Sequence, residues 1–136
     1  MNTRKLNAHV RNFVEAYMQA AGRKSPGEPR WFHCIGRCQA LSRRLGKELS
    51  LEKYPVHLVY GEFHAPATAV ARRGICMEPT FTKSGQELPP SDWCPHYWLV
   101  VGNHIVDCSI EQFLNTRKYI RSLNDPHYRG GKYGTI

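Results

Sequence analysis

The sequence predicts a single α+β domain: a helical N-terminal part, with one helix carrying a thiol, packed on a small antiparallel sheet. Three observations lead there. Two stretches with helical apolar spacing lie in the first 50 residues, β-forming runs follow at 56–63 and 96–107, and a Gly102-Asn103 pair sits within the second as a hairpin turn belongs. At 136 residues, 41% hydrophobic and 22% charged, the chain matches one globular unit over residues 1–136. Nine prolines and eleven glycines exclude a coiled coil, and no apolar run is long enough to span a bilayer.

The first helix is expected over residues 3–21, where Leu6, Val10, Phe13, Val14, Tyr17, Met18 and Ala21 share a face and Gly22 can cap the end. Residues 23–30, with Pro26, Gly27 and Pro29, read as a loop. A second helix is expected over about 37–50, burying Cys38, Leu41, Leu45 and Leu49. A strand follows over 56–63, introduced by Pro55.

Residues 64–95 hold five prolines and one short strand candidate near 75–81, and read as a long loop or lid. The hairpin pairs 96–101 with 104–107. Ser109, with Gln112 three residues on, then signals a helix through about Leu123, placing Ile110, Phe113, Leu114 and Ile120 inward. From Asn124 the glycine-rich tail reads as irregular.

Net charge is +8 and uneven: residues 1–73 carry 13 basic and 5 acidic side chains, and residues 117–136 carry 5 and 1. A solvated basic helix face explains this as well as an anionic partner such as nucleic acid does. Five cysteines without framework spacing, and an N-terminus with Arg4, Lys5 and Arg11 but no apolar leader core, predict reduced thiols and a cytoplasmic location.

The chemistry centres on Cys38. A thiol in the first turn of a helix meets outward-pointing N–H groups and a partial positive charge, which favour a thiolate and can hold an oxyanion. Gly36, two residues earlier, lets a substrate backbone approach. In a hairpin closed by Gly102-Asn103, paired residue numbers sum to 205, so Trp98 faces Asp107 and both share a face with His96. Asp107 is then diagonal to His96, able to hold one ring nitrogen while the other faces a thiol.

Helix thiol, strand imidazole and acid on the next strand, in that order, resemble the papain-like/transglutaminase-like superfamily of thiol enzymes, particularly its small bacterial and phage members. The matching pieces are Gly36-Arg37-Cys38-Gln39-Ala40-Leu41-Ser42, His96-Tyr97-Trp98, Val106-Asp107-Cys108-Ser109 with Gln112-Phe113, and the strand ending Tyr60-Gly61-Glu62. The resemblance covers roughly residues 31–114, within a domain core of about 31–123. The resemblance implies Cys38 as nucleophile, His96 as general base then acid, and Asp107 as orienter, with no cofactor and a protein or peptide substrate. Peptide or isopeptide hydrolysis, glutamine deamidation and transamidation share the resulting thioester. Position 32 is Phe where papain carries an oxyanion-donating glutamine, leaving the Trp31 indole as the substitute, and Cys108 stands where many relatives have proline.

Other readings stay open. Cys38 alone reads as a buried core cysteine, and Cys34 competes as the helix-start thiol. Trp98 joins Trp31 and Gly36 as an oxyanion or substrate-binding candidate, and also reads as core beneath the histidine. His33, His57, His64, His104 and His127 read as surface or loop residues. Cys34, Cys38, Cys94 and His96 are a conceivable zinc set in an interaction domain, and a non-catalytic basic module is the remaining alternative.

Overall fold

The computed structural model describes residues 1–20, 35–64, 83–86, 93–114 and 116–136. They form an α+β fold of two helices and a five-stranded antiparallel sheet. Helix α1 covers Thr3–Ala20 and α2 covers Ile35–Leu51. The strands are β1 (Val56–His64), β2 (Trp93–Val101), β3 (His104–Val106), β4 (Ile120–Ser122) and β5 (Tyr128–Gly134), in the order β4-β3-β2-β1-β5.

Both helices bury the expected faces. Leu6, Val10, Val14 and Met18 of α1 and Cys38, Leu41, Leu45 and Leu49 of α2 join one apolar cluster with Leu58, Leu99, Val101 and Val106 of the sheet. Burial of each such aliphatic side chain stabilises the fold by roughly 1.5–3 kcal/mol. Helix α1 is tied to α2 by His9, within 3.5 Å of Glu48 and 3.2 Å of Glu52, and by Arg44 lying over the Phe13 ring. On the opposite parity of the strands, Val59, Trp98, Val100 and Ile105 form a second, smaller cluster.

The hairpin register is the predicted one. Leu99 pairs with Val106, Val100 with Ile105 and Val101 with His104, each summing to 205. Gly102 takes φ +58°, as the first central residue of a II′-type turn does, so the glycine is required there.

Three expectations fail for identifiable reasons. The helix expected from Ser109 to Leu123 is only a 3-10 turn, Ile110–Gln112, after which the chain returns as β4 beside β3. Ser109 makes no side-chain cap bond. It turns instead to Asp107, donating from its N–H (3.1 Å) and its Oγ (3.3 Å) to Oδ1. The Tyr119 hydroxyl donates to the buried Glu111 carboxylate, a bond that a helix rising about 12 Å between those residues would not allow.

The tail expected to be irregular is strand β5, which pairs with β1 through a bulge at Tyr60/Glu62. Gly130 (φ +62°) and Gly131 (φ +119°) form that bulge, so glycines that suggested a loop in fact let an edge strand bend over β1. Third, β2 begins at Trp93 rather than His96, because Trp93, Cys94 and Pro95 pair with His64, Phe63 and Glu62. The remainder of the expected 64–95 loop, including the 75–81 strand candidate, falls mainly outside the described residues, as do Gly22 and the 23–30 loop.

Candidate active site

Cys38 is the fourth residue of α2, two positions deeper than a start at Arg37 implies but still in the first turn. It is 2% exposed, on the face that continues through Leu41 and Leu45. Gly36 is exposed in the same turn, and a side chain there would meet nothing within 4 Å.

His96 and Asp107 come from the hairpin. The ladder ends at Leu99–Val106, so the next positions, Trp98 and Asp107, stand side by side, and His96 lies diagonally across from the acid. The His96 Nε2 lies 2.8 Å from Asp107 Oδ2, with both residues buried. Asp107 lies just past the end of β3, and its own N–H donates to the Tyr119 carbonyl (2.9 Å), which anchors the acid to the chain entering β4.

The Cys38 side chain lies near enough to the His96 ring to act on it through hydrogen bonding and charge. Because Nε2 is held by Asp107, Nδ1 is the ring nitrogen left for the thiol. Burial opposes a charge on this ring. The Asp107 carboxylate, through its charge and its hydrogen bond, and the Cys38 side chain outweigh burial and raise the His96 pKa from 6.5 to about 10. The imidazole is therefore held as a cation at neutral pH, with the sulfur on one side and the carboxylate on the other.

The ring is clamped by aromatics. Phe63 and Phe113 stack on each other (centroids 4.6 Å) and meet His96 edge-on at 5.7 and 5.0 Å. Trp98 lies 6.1 Å away, buried beneath the histidine as its reading as core requires. The two apolar clusters thus meet around His96.

Four donors converge on the carboxylate of Asp107. Oδ1 accepts from the Ser109 N–H and hydroxyl, while Oδ2 accepts from His96 and from the Tyr128 hydroxyl at 2.8 Å. Sequence reasoning missed Tyr128 because it sits in a tail whose glycines pointed to irregular chain. It gave Ser109 the wrong task, since the capping pattern and the turn on Asp107 use the same hydroxyl.

Cys108 is also buried, and burial, with the negative charge of Asp107 next in weight, pushes its thiol well above the ordinary range. His127, expected as a surface or loop residue, is half-buried: it stacks on Phe63 at 5.5 Å and holds Asp125 Oδ1 at 2.8 Å from Nδ1. Burial works against the charge on Asp125, yet Arg121 and His127 keep its carboxyl below the ordinary range. His57 is exposed, and His64 and His104 are half-exposed.

Trp31, Cys34 and His33 lie outside the described residues, so the oxyanion donor, the rival thiol and one ligand of the zinc set are not located. Among the described residues, no three His, Cys, Asp or Glu side chains are grouped to hold a metal ion, and no helix is long and apolar enough to cross a membrane.

The arrangement brings together a helix-borne thiol, an imidazole and a carboxylate, the residue types that acyl transfer through a thioester would call for. Comparisons with protein-family models, with curated proteins and with solved structures find no match to this chain.

Proposed function

We propose that this protein is a thiol-dependent acyl-transfer enzyme acting on an amide bond, built on a papain/transglutaminase-like core. The observation that carries the reading is the His96 ring, held by Asp107 at 2.8 Å and acted on by the Cys38 side chain from the helix. The ring stands where a proton can pass between it and the sulfur or the leaving group, and N–H groups of the first helical turn can hold a developing oxyanion.

In the proposed reaction the Cys38 sulfur attacks the amide carbonyl and forms a C–S bond. The carbonyl oxygen takes up the electron pair and is held by helix N–H groups. Collapse of the tetrahedral species breaks the C–N bond, and the departing amine takes the proton from His96 Nδ1. Neutral His96 then accepts a proton from water or an incoming amine, whose attack breaks the C–S bond and releases the sulfur, with its electron pair, beside the reprotonated ring. Asp107 keeps Nε2 fixed throughout. Water as acceptor gives hydrolysis or, with glutamine as substrate, deamidation; an amine gives transamidation.

The test is alkylation by iodoacetamide, a reagent small enough for a thiol 2% exposed, with the modified cysteine mapped by mass spectrometry. Cys38 is expected to react fastest at neutral pH, and His96→Ala to slow it at least tenfold. Equal rates in the two proteins, or modification of Cys34 in place of Cys38, would overturn the assignment.

A second reading, a basic surface for an anionic partner, draws on one feature. Arg4, Asn7 and Arg11 of α1 and Arg117 and Lys118 line an open groove of about 490 Å³ with four cations, of which Arg117 is paired with Glu15 of α1 at 3.7 Å. The first turn of α1 contains no acid, although a helix N-terminus favours one. This surface involves neither Cys38 nor His96, so the two readings are separable.

A further inference from the structure

We infer that Tyr128 is a positioning residue of the thiol site, its hydroxyl sharing Asp107 Oδ2 with His96 and thereby setting how strongly the acid holds the imidazole proton. The inference rests on the acyl-transfer reading above and extends it to a residue 21 positions beyond the acid, on the last strand.

The geometry leaves the phenol little freedom. Its ring meets Phe63 edge-on at 5.0 Å and Trp98 at 5.0 Å, the residues that also line His96. Strand pairing of Tyr128 with Phe63 fixes the backbone, and the Tyr128 N–H donates to the Asp125 carbonyl (3.2 Å) at the turn before it. From this position the hydroxyl points at the oxygen that holds His96 Nε2, at 2.8 Å from each donor.

A phenol packed only for its ring would have no need of that oxygen. Donation from a hydroxyl draws carboxylate charge away from the His96 proton and so weakens the acid's hold. In acyl transfer this matters at one moment, when His96 must release a proton to the departing amine. An acid that held the ring too tightly would keep the imidazolium from acting as a donor. The charged and titratable groups acting on this set among the described residues include Asp107 and Cys38 at His96, Cys108 beside them, and Arg121 and Asp125, which act with Asp107 on Tyr128.

The experiment compares the wild type, Tyr128→Phe and His96→Ala. Phenylalanine keeps both ring contacts and removes only the hydroxyl. Histidine-selective ¹⁵N NMR follows the His96 titration, assigned by its loss in His96→Ala, and iodoacetamide alkylation of Cys38 is measured across the same pH range. In Tyr128→Phe the His96 titration is expected to move upward by about half a unit to one unit. The pH profile of Cys38 alkylation should move with it.

Superimposable curves, or a downward shift, would remove Tyr128 from the site while leaving the thiol reading intact. If wild-type Cys38 alkylates at the His96→Ala rate, the thiol reading itself fails, and the role of Tyr128 fails with it.

Discussion

Gly61 stands directly opposite His96 across the β1–β2 ladder, and the space that a side chain would need there is filled by the Trp98 indole. A Cβ at Gly61 would lie 2.4 Å from Trp98 Cη2 and 2.9 Å from the Arg129 carbonyl. The absent side chain thus leaves room for the indole beside the histidine, tilted 33° to it, and for the bulged backbone of β5 to pair closely with β1.

Gly61→Ala is therefore expected to destabilise the fold by about 1–3 kcal/mol, the usual cost of overpacking. Gly36→Ala, whose Cβ meets nothing within 4 Å, should be neutral or slightly stabilising through helix propensity. Urea unfolding of the two variants checks the contrast. A Gly61→Ala protein as stable as the wild type would mean that the Trp98 packing is loose.

The acid–imidazole pair makes stability depend on pH in a defined direction. The folded His96 pKa, about 10, lies above the unfolded value near 6.5. Stabilisation by its charged form is complete below pH 6.5 and is lost as pH rises through about 10. Unfolding midpoints of the wild type and His96→Asn should differ most at pH 6 and converge toward pH 10. A gap that widens with pH would contradict the charge assigned to the ring.

Asp107→Asn removes the charge while keeping the shape. Breaking a buried ion pair from one side costs about 3–5 kcal/mol, and the His96 titration should fall sharply as its main support disappears. Ser109→Ala removes only one of the two donors on Oδ1, so a loss of about 1 kcal/mol and a small shift are expected. Thermal denaturation and histidine NMR measure both effects.

Among the cysteines, Cys108 is expected to stay unmodified under conditions that alkylate Cys38, because burial and neighbouring negative charge hold its proton. Peptide mapping after brief alkylation distinguishes the two thiols. Equal labelling of Cys38 and Cys108 would argue that both have been exposed by unfolding.

For the basic groove, binding of a random-sequence oligonucleotide should fall with salt and weaken in Arg11→Glu/Arg117→Glu, while Cys38→Ala leaves it unchanged. Binding that is absent at low salt would reduce the groove to a solvated helix face.

What could be read from the sequence was whatever its local periodicity encodes. The apolar spacing of α1 and α2 and the single two-residue turn placed Cys38 on a buried helix face and Asp107 diagonal to His96. The capping pattern at Ser109 misled because the same side chain serves a turn on Asp107, and only tertiary pairing of β4 with β3 selects between them. The last strand was hidden by Gly130 and Gly131: composition marks them as loop, and their use as a bulge shows only once β1 lies beneath them. Tyr128 went unseen with it, since nothing near position 128 announces a partner at 107.

The sequence separations within the site also imply an order of assembly. His96 and Asp107 are 11 residues apart across a tight turn, whereas Cys38 lies 58 residues before His96, on another element. Short loops close first and at lower entropic cost, so the acid–imidazole hairpin can form early, while docking of α2 brings in the sulfur from far along the chain. A chain stopped between these events would hold the imidazole beside its acid with the Cys38 sulfur not yet docked against it. The acyl-transfer activity proposed above should then appear only in the slowest refolding phase, after the hairpin has formed and α2 has docked, even though the bare thiol is open to alkylation before that.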